Sequence, residues 1–290
     1  MPTDGVDIPL SVRVAFAHAA TQHLADETGV DLLHVKGPVL DPSLSAHRSG
    51  SSDADVLVRP AHVDRLLGTM RRHGWVMVTD FRTGSVFEHA ATLRHASFGY
   101  VDVHRHFPGI AVPPPAAFER LWADRGGILI AGHEVAVPSV PAQALLLVLH
   151  AGRGLEWEGR EDVRVAWHDA DDAARSAITA LRDELDAGMA FSLAVGENPP
   201  GDARDLALWR SFAPGSTRTE QWRARIAVAP TRRAAARIAV GALLVNTDHL
   251  AMQLGRRPTT VDVLRAQARR VRRASTELRQ AFTGRRWRGE

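Results

Sequence analysis

The sequence predicts an α+β half followed by an all-helical half, divided near Pro138. Two patterns carry that reading. Between residues 30 and 138 the apolar residues fall in short runs, several alternating with period two, separated by loops rich in Ser, Pro and Gly. From Val140 onward they recur at helical spacing almost to the end.

Taken in order, residues 10–28 space their apolar side chains as a helix, and Gly29 is a natural stop. DLLHVKG (31–37) reads as a strand or helix end entering the loop PVLDPSLSAHRSGSS (38–52), and DADVLV (53–58) reads as a strand. PAHVDRLLGTMRRHG (60–74) is an amphipathic helix with proline in its first turn and glycine after its last. WVMVTD (75–80) is a strand, and VFEHAATLRHA and SFGYVDVHRHF (86–107) make a hairpin turning at Ala96–Gly99. A helix over 115–126 and a short β-pair over 127–138 complete this half. Helices then fall at 141–152, 161–191, 202–212, 217–229, 231–254 and 259–282.

Composition narrows the function classes. The chain has 290 residues and no cysteine, which excludes disulfides and thiolate zinc sites. The longest apolar runs, 144–151 and 236–245, are too short for a bilayer, and the first residues lack the pattern of a signal peptide. The expectation is a soluble cytoplasmic protein with no membrane partner. Charge is uneven: from Arg218 on there are 17 arginines against five acids, a balance of +12, while the whole chain is only +3. Basic C-terminal helices on an acidic body suit an anionic partner such as RNA, or are a solvated face in an arginine-rich chain. Helix 259–282 sets Arg265, Arg269, Arg272, Arg273 and Arg279 against an apolar stripe of Val261, Leu264, Ala268, Val271 and Leu278, on which it is expected to dock. Against this arginine background Lys36 is the single lysine, a compact point charge next to Gly37.

Asp53 and Asp55 open a strand although acids are poor strand formers, and period two puts both on one face. In GYVDVHRH (99–106) the same alternation puts Tyr100, Asp102, His104 and His106 on one face. If the two strands pair, three carboxylates cluster and repel one another unless a cation joins them. Oxygen donors of that kind suit Mg²⁺ or Mn²⁺. Plainer readings stand beside this one: Asp53 and Asp55 as loop caps, Asp102 paired with Arg94 or Arg105, and His150 as a histidine satisfied within the apolar helix ALLLVLH.

The order helix, glycine loop, D-A-D-V-L-V strand, helix, strand and later V-D-V-H strand resembles the DNA polymerase β-like nucleotidyltransferase superfamily. More narrowly, V-K-G-P-V-L followed by that strand resembles the bacterial uncharacterised nucleotidyltransferase family, over residues 10–175. Arg48 stands five positions before Asp53, one more than the family spacing. The resemblance implies a polymerase β-like mixed sheet with flanking helices in a catalytic domain over 1–138, and a helical domain over 139–290. It implies an enzyme in which Asp53, Asp55 and Asp102 hold metal and carry catalysis. Lys36, Gly37, Arg48 and Ser51 then bind the nucleoside triphosphate, and His104 and Tyr100 line the site. Both Lys36–Gly37 and Gly50–Ser51 are placed to face phosphate, and the first fits the family order better. The acceptor hydroxyl stays open between RNA, in analogy to toxin-like members, and a small molecule such as an antibiotic or a biosynthetic intermediate. A catalytically inactive binding module with the same fold is the third reading. Which nucleotide is used and the oligomeric state are not legible.

Overall fold

A computed structural model describes residues 8–48, 50–84, 87–153, 157–199, 203–212, 217–229, 231–247, 250, 254 and 258–286. It is an α+β chain with a five-stranded mixed sheet and many helices. Two compact units form, residues 1–199 and 200–290.

In the first unit, helix α1 (Leu10–Thr28) ends where Gly29 adopts a left-handed φ of 61° and its N–H reaches the carbonyls of Ala25 and Asp26. Strand β1 (Leu32–His34) follows, then a 3₁₀ turn at Gly37–Val39 and α2 (Pro42–Ser45). Strand β2 (Asp53–Val58) leads to α3 (Val63–Arg72), which a 3₁₀ turn at Pro60–His62 precedes. Next come β3 (Val76–Thr79), α4 (Phe81–Gly84), β4 (Ala90–His95) and β5 (Gly99–His104). The sheet order is β1-β2-β5-β4-β3, and the β2–β5 pair is parallel while the others are antiparallel. The hairpin expected across Ala96–Gly99 is therefore present as β4–β5. Helix α5 (Pro114–Ala123) and the separate pair β6 (Gly126–Ile130) and β7 (His133–Val137) complete this part.

Alternation gives the sheet two unlike faces. Ala54, Val56, Val58, Leu93, Val101 and Val103 point to one side and build the core with Leu24 and Ala25 of α1 and Leu66 and Met70 of α3. Asp53, Asp55, Tyr100, Asp102 and His104 take the other side. Burying the apolar face fixes the register, because a slip of one residue would turn every carboxylate into the core.

The units divide at 199/200, well beyond the expected boundary at 138. Polar bonds tie the next helices to the sheet half. Gln143 of α6 (Val140–Ala151) accepts from the Asp41 amide at 2.7 Å. Asp162 of α7 (Trp157–Val163) is buried and takes Arg48 on both carboxylate oxygens, with His47 on Oδ1 at 2.9 Å. The single helix expected over 161–191 is instead α7, a π-turn at Arg164–His168, α8 (Asp172–Glu184) and α9 (Gly188–Val195). Asp171 accepts from the Ala174 amide and starts α8, and Asp186 with φ 48° ends it.

Among its described residues the second unit holds helices and no strand: α10 (Ala203–Arg210), α11 (Arg218–Ala227), α12 (Arg232–Leu243) and the helix Thr260–Arg286. The last of these does not dock on the stripe expected for it. Val261, Leu264 and Val271 are exposed. Its packed face carries Gln267, which accepts from the Val245 amide, and Arg270, which donates to the Ala242 carbonyl and lies over the Trp222 ring. Polar groups reaching carbonyl and amide ends of the preceding helix outcompete apolar spacing here.

Removing Asp162 leaves the Arg48 charge buried and unpaired. Asp162→Asn is expected to cost about 3 kcal/mol of stability. A thermal melt within about 2 °C of the unaltered chain would show that this pair does not hold the helices to the sheet.

Candidate active site

The parallel β2–β5 register sets Asp55 directly opposite Asp102, and Asp53 opposite Tyr100. Three carboxylates that are far apart in the sequence thus share one sheet face. Asp55 is buried, and its Oδ1 receives two donors: Lys36 Nζ at 2.9 Å and His104 Nε2 at 2.8 Å. Burial pushes the Asp55 carboxyl up, but Lys36 and His104 together outweigh it and hold the group well below the usual carboxylate range. Asp102 has no such cation on it. Burial and the Asp55 charge push it up to about 6, against the pull of His104 and of Thr92, whose hydroxyl donates to Asp102 Oδ1 at 2.7 Å. Asp53 is also raised, by burial and then by Asp55, while Lys36 and the hydroxyls of Ser52 and Ser51 act the other way.

The two glycine turns meet. Gly37 has φ 75°, and a side-chain carbon there would lie 3.1 Å from Ser51 Cβ. Only glycine satisfies both the backbone angle and the close approach. Ser51 Oγ donates to the Asp53 carbonyl at 2.8 Å, so the Lys36–Gly37 and Gly50–Ser51 turns form one wall beside the acids.

Two expected residues are engaged otherwise than anticipated. Lys36, assigned to phosphate from its place beside Gly37, sits on Asp55. Arg48, assigned to the nucleotide, has its guanidinium on Asp162. His104, expected to line the site, lies on the acid face with its Nε2 on Asp55 Oδ1.

Two residues were missed. His150 at the end of α6 was read as core, yet its pKa is lowered well below normal, first by the Lys36 charge, then by burial and by Arg153. Arg153 lies just past α6, and burial lowers its pKa to about 10 while Asp55 and Asp102 raise it. His150 had a usable signal, a polar residue closing an apolar helix. Arg153 had none in a chain where arginine stands at nearly every basic position.

The acid face fits a divalent cation. Asp55, Asp102 and His104 each offer a ligand atom within 4.8 Å of the others. His104 Nε2 is engaged with Asp55 and its Nδ1 is buried without a hydrogen-bond partner, and the second oxygens of Asp55 and Asp102, with Asp53 nearby, supply oxygen donors. The carboxylate oxygens suit a hard ion such as Mg²⁺ or Mn²⁺. Asp102 is raised first by burial and then by the Asp55 charge opposite it.

No family model matches the sequence, and no curated protein is similar to it. Solved structures similar to the chain include the following two. One is the lincosamide antibiotic adenylyltransferase LnuA with lincomycin bound, 15% identical, covering 57% of this chain and 94% of that one, with a TM-score of 0.33. The other is an antigenic nucleotidyltransferase-like protein from Paracoccidioides brasiliensis, 15% identical, covering 67% of this chain and 95% of that one, with a TM-score of 0.38. Both scores lie below 0.5, so the reading of the site rests on its own geometry.

A cation binding at Asp102 must displace its proton, and the raised pKa puts that competition below neutrality. Mn²⁺ affinity, measured by calorimetry, is expected to rise about tenfold from pH 5 to pH 7 as Asp102 ionises. An affinity flat across that window would remove Asp102 from the ligand set.

Proposed function

We propose that the chain is a divalent-metal-dependent nucleotidyltransferase that moves a nucleoside monophosphate from a nucleoside triphosphate to a hydroxyl acceptor. The observation that carries this is the β2–β5 register, which gathers Asp53, Asp55 and Asp102 on one face beside a glycine wall. The motif order of the sequence points the same way.

Asp55, Asp102 and Asp53 would hold the cation, which when bound supplies charge compensation for the polyphosphate and for the attacking oxygen. Lys36 and His104 keep Asp55 ionised and fixed in place. Asp102 takes the proton of the acceptor hydroxyl. The acceptor oxygen bonds to the α-phosphorus, the bond from that phosphorus to the β-bridging oxygen breaks, and pyrophosphate leaves. Backbone amides at Gly37 and the Gly50–Ser51 turn line the approach of the phosphates. Catalysis is then mostly positioning and electrostatics.

One observation favours a polyanionic acceptor such as RNA. Arg265, Arg269, Arg272 and Arg273 are exposed along the helix Thr260–Arg286. Phosphate contacts of that kind release counterions, so RNA affinity is expected to fall steeply with salt. A gel-shift titration with no binding at low salt would leave the small hydroxylated acceptor as the reading.

The test of the activity is release of pyrophosphate from labelled nucleoside triphosphates with Mg²⁺ and either RNA or a lysate of small hydroxylated compounds. Asp102→Asn is expected to lower the rate at least about 100-fold, the usual worth of a general base. An unchanged rate in Asp102→Asn, or no release by the unaltered chain with any nucleotide, would overturn the proposal.

A further inference from the structure

We infer that Arg153, just past the C-terminal end of α6, is the residue that grips the terminal phosphates of the nucleoside triphosphate in this site. The inference rests on the nucleotidyltransferase reading and assigns the phosphate subsite within it.

Three cations act on His150: Lys36, Arg153 and Arg48. Two of them are engaged by buried carboxylates. Lys36 is on Asp55 and Arg48 is on Asp162. Arg153 makes no ion pair among the described residues. One terminal nitrogen donates to His89 Nε2 at 2.8 Å, and its Nε is buried without any partner. A guanidinium carries five N–H donors, and a buried charged donor left unsatisfied is costly. A half-buried guanidinium whose Nε is buried and unpartnered marks a place for an anion supplied from outside the protein.

The surroundings fix which anion. Arg153 bonds to His89, whose ring centre lies 5.0 Å from that of His104, the donor to Asp55, so its ligand lies next to the proposed metal ligands. A ligand that brings both a cation for the acids and an anion for Arg153 is a metal-bound polyphosphate. Arginine presents a planar fork that matches two phosphate oxygens at once, which a lysine point charge does not. The fork is already oriented. His89 accepts on one side, and the guanidinium carbon lies 5.7 Å from the centre of the Phe107 ring. Burial, first of all, holds His89 neutral, and the Arg153 charge acts the same way, so its Nε2 stays an acceptor. Lys36 is thereby assigned to Asp55 rather than to phosphate.

The test is calorimetry on the full chain with Mg²⁺ and either a nucleoside triphosphate or the matching monophosphate. Arg153→Gln keeps a donor for His89 and removes the charge. It is expected to weaken triphosphate binding at least tenfold and monophosphate binding no more than twofold. Triphosphate affinity within twofold of the unaltered chain, or equal losses for both nucleotides, overturns the inference while leaving the nucleotidyltransferase reading in place. No triphosphate binding by the unaltered chain overturns both. If Arg153→Gln does not fold, Arg153→Lys carries the same readout, because it keeps the charge without the fork. A loss of threefold or more for the triphosphate alone is then expected, and none overturns the inference.

Discussion

The buried charge on Asp55 constrains everything around it. A carboxylate removed from water is stable only when donors satisfy it. Here a single oxygen takes both Lys36 and His104, which come from different parts of the chain. Lys36 reaches Asp55 only because Gly37 turns the chain with a left-handed backbone against Ser51. His104 reaches it only because β5 runs parallel to β2 in the observed register. Loss of either geometry leaves an uncompensated charge beside Asp102. The fold around the site follows from keeping that one group ionised in a dry place.

The same constraint separates the roles of two opposed carboxylates. Asp55 and Asp102 face each other across one strand pair, but only Asp55 has a cation on it. One stays charged, and the other is pushed up toward neutrality by burial and by its partner. Environments that pull apart the proton affinities of two like groups are what acid–base chemistry near neutral pH requires. The helices after Pro138 take part in this arrangement. α6 carries His150 and ends just before Arg153, and Asp162 of α7 takes Arg48 away from the acids. Gln143, Arg153 and Asp162 thus tie these helices to the sheet half within the first compact unit, residues 1–199.

The strands were legible because period two is a strong local signal and the acids broke it in a telling place. Asp53, Asp55 and Asp102 stood out as polar residues where strands should be apolar, and their pairing needed only the assumption that β2 and β5 are neighbours. Element order, the β4–β5 hairpin and the β6–β7 pair were legible for the same reason. What stayed hidden depends on contacts between distant residues. No local pattern says that Lys36 meets Asp55, that Arg48 meets Asp162, or that Arg153 meets His89. The long helix expected over 161–191 failed because Asp171 offered a local cap that spacing of apolar residues does not reveal. The docking face of the helix Thr260–Arg286 was misread for a related reason. Arg270 and Gln267 can reach backbone groups, and hydropathy spacing counts them as solvent-facing.

Charge balance on the acid face explains why the site wants a paired ligand. Asp55 and Lys36 neutralise each other. Asp53 and Asp102 are both raised by burial and by Asp55, so they resist carrying further negative charge unaided. On the other side His150 is held neutral by the surrounding cations and by burial, so further positive charge is equally resisted there. A bare cation would relieve the acids and worsen the crowding around Arg153. A bare anion would do the reverse. A cation that arrives already bound to a polyphosphate satisfies both halves in one step and leaves the net charge of the site nearly unchanged, which lowers the electrostatic cost of binding in a poorly solvated place.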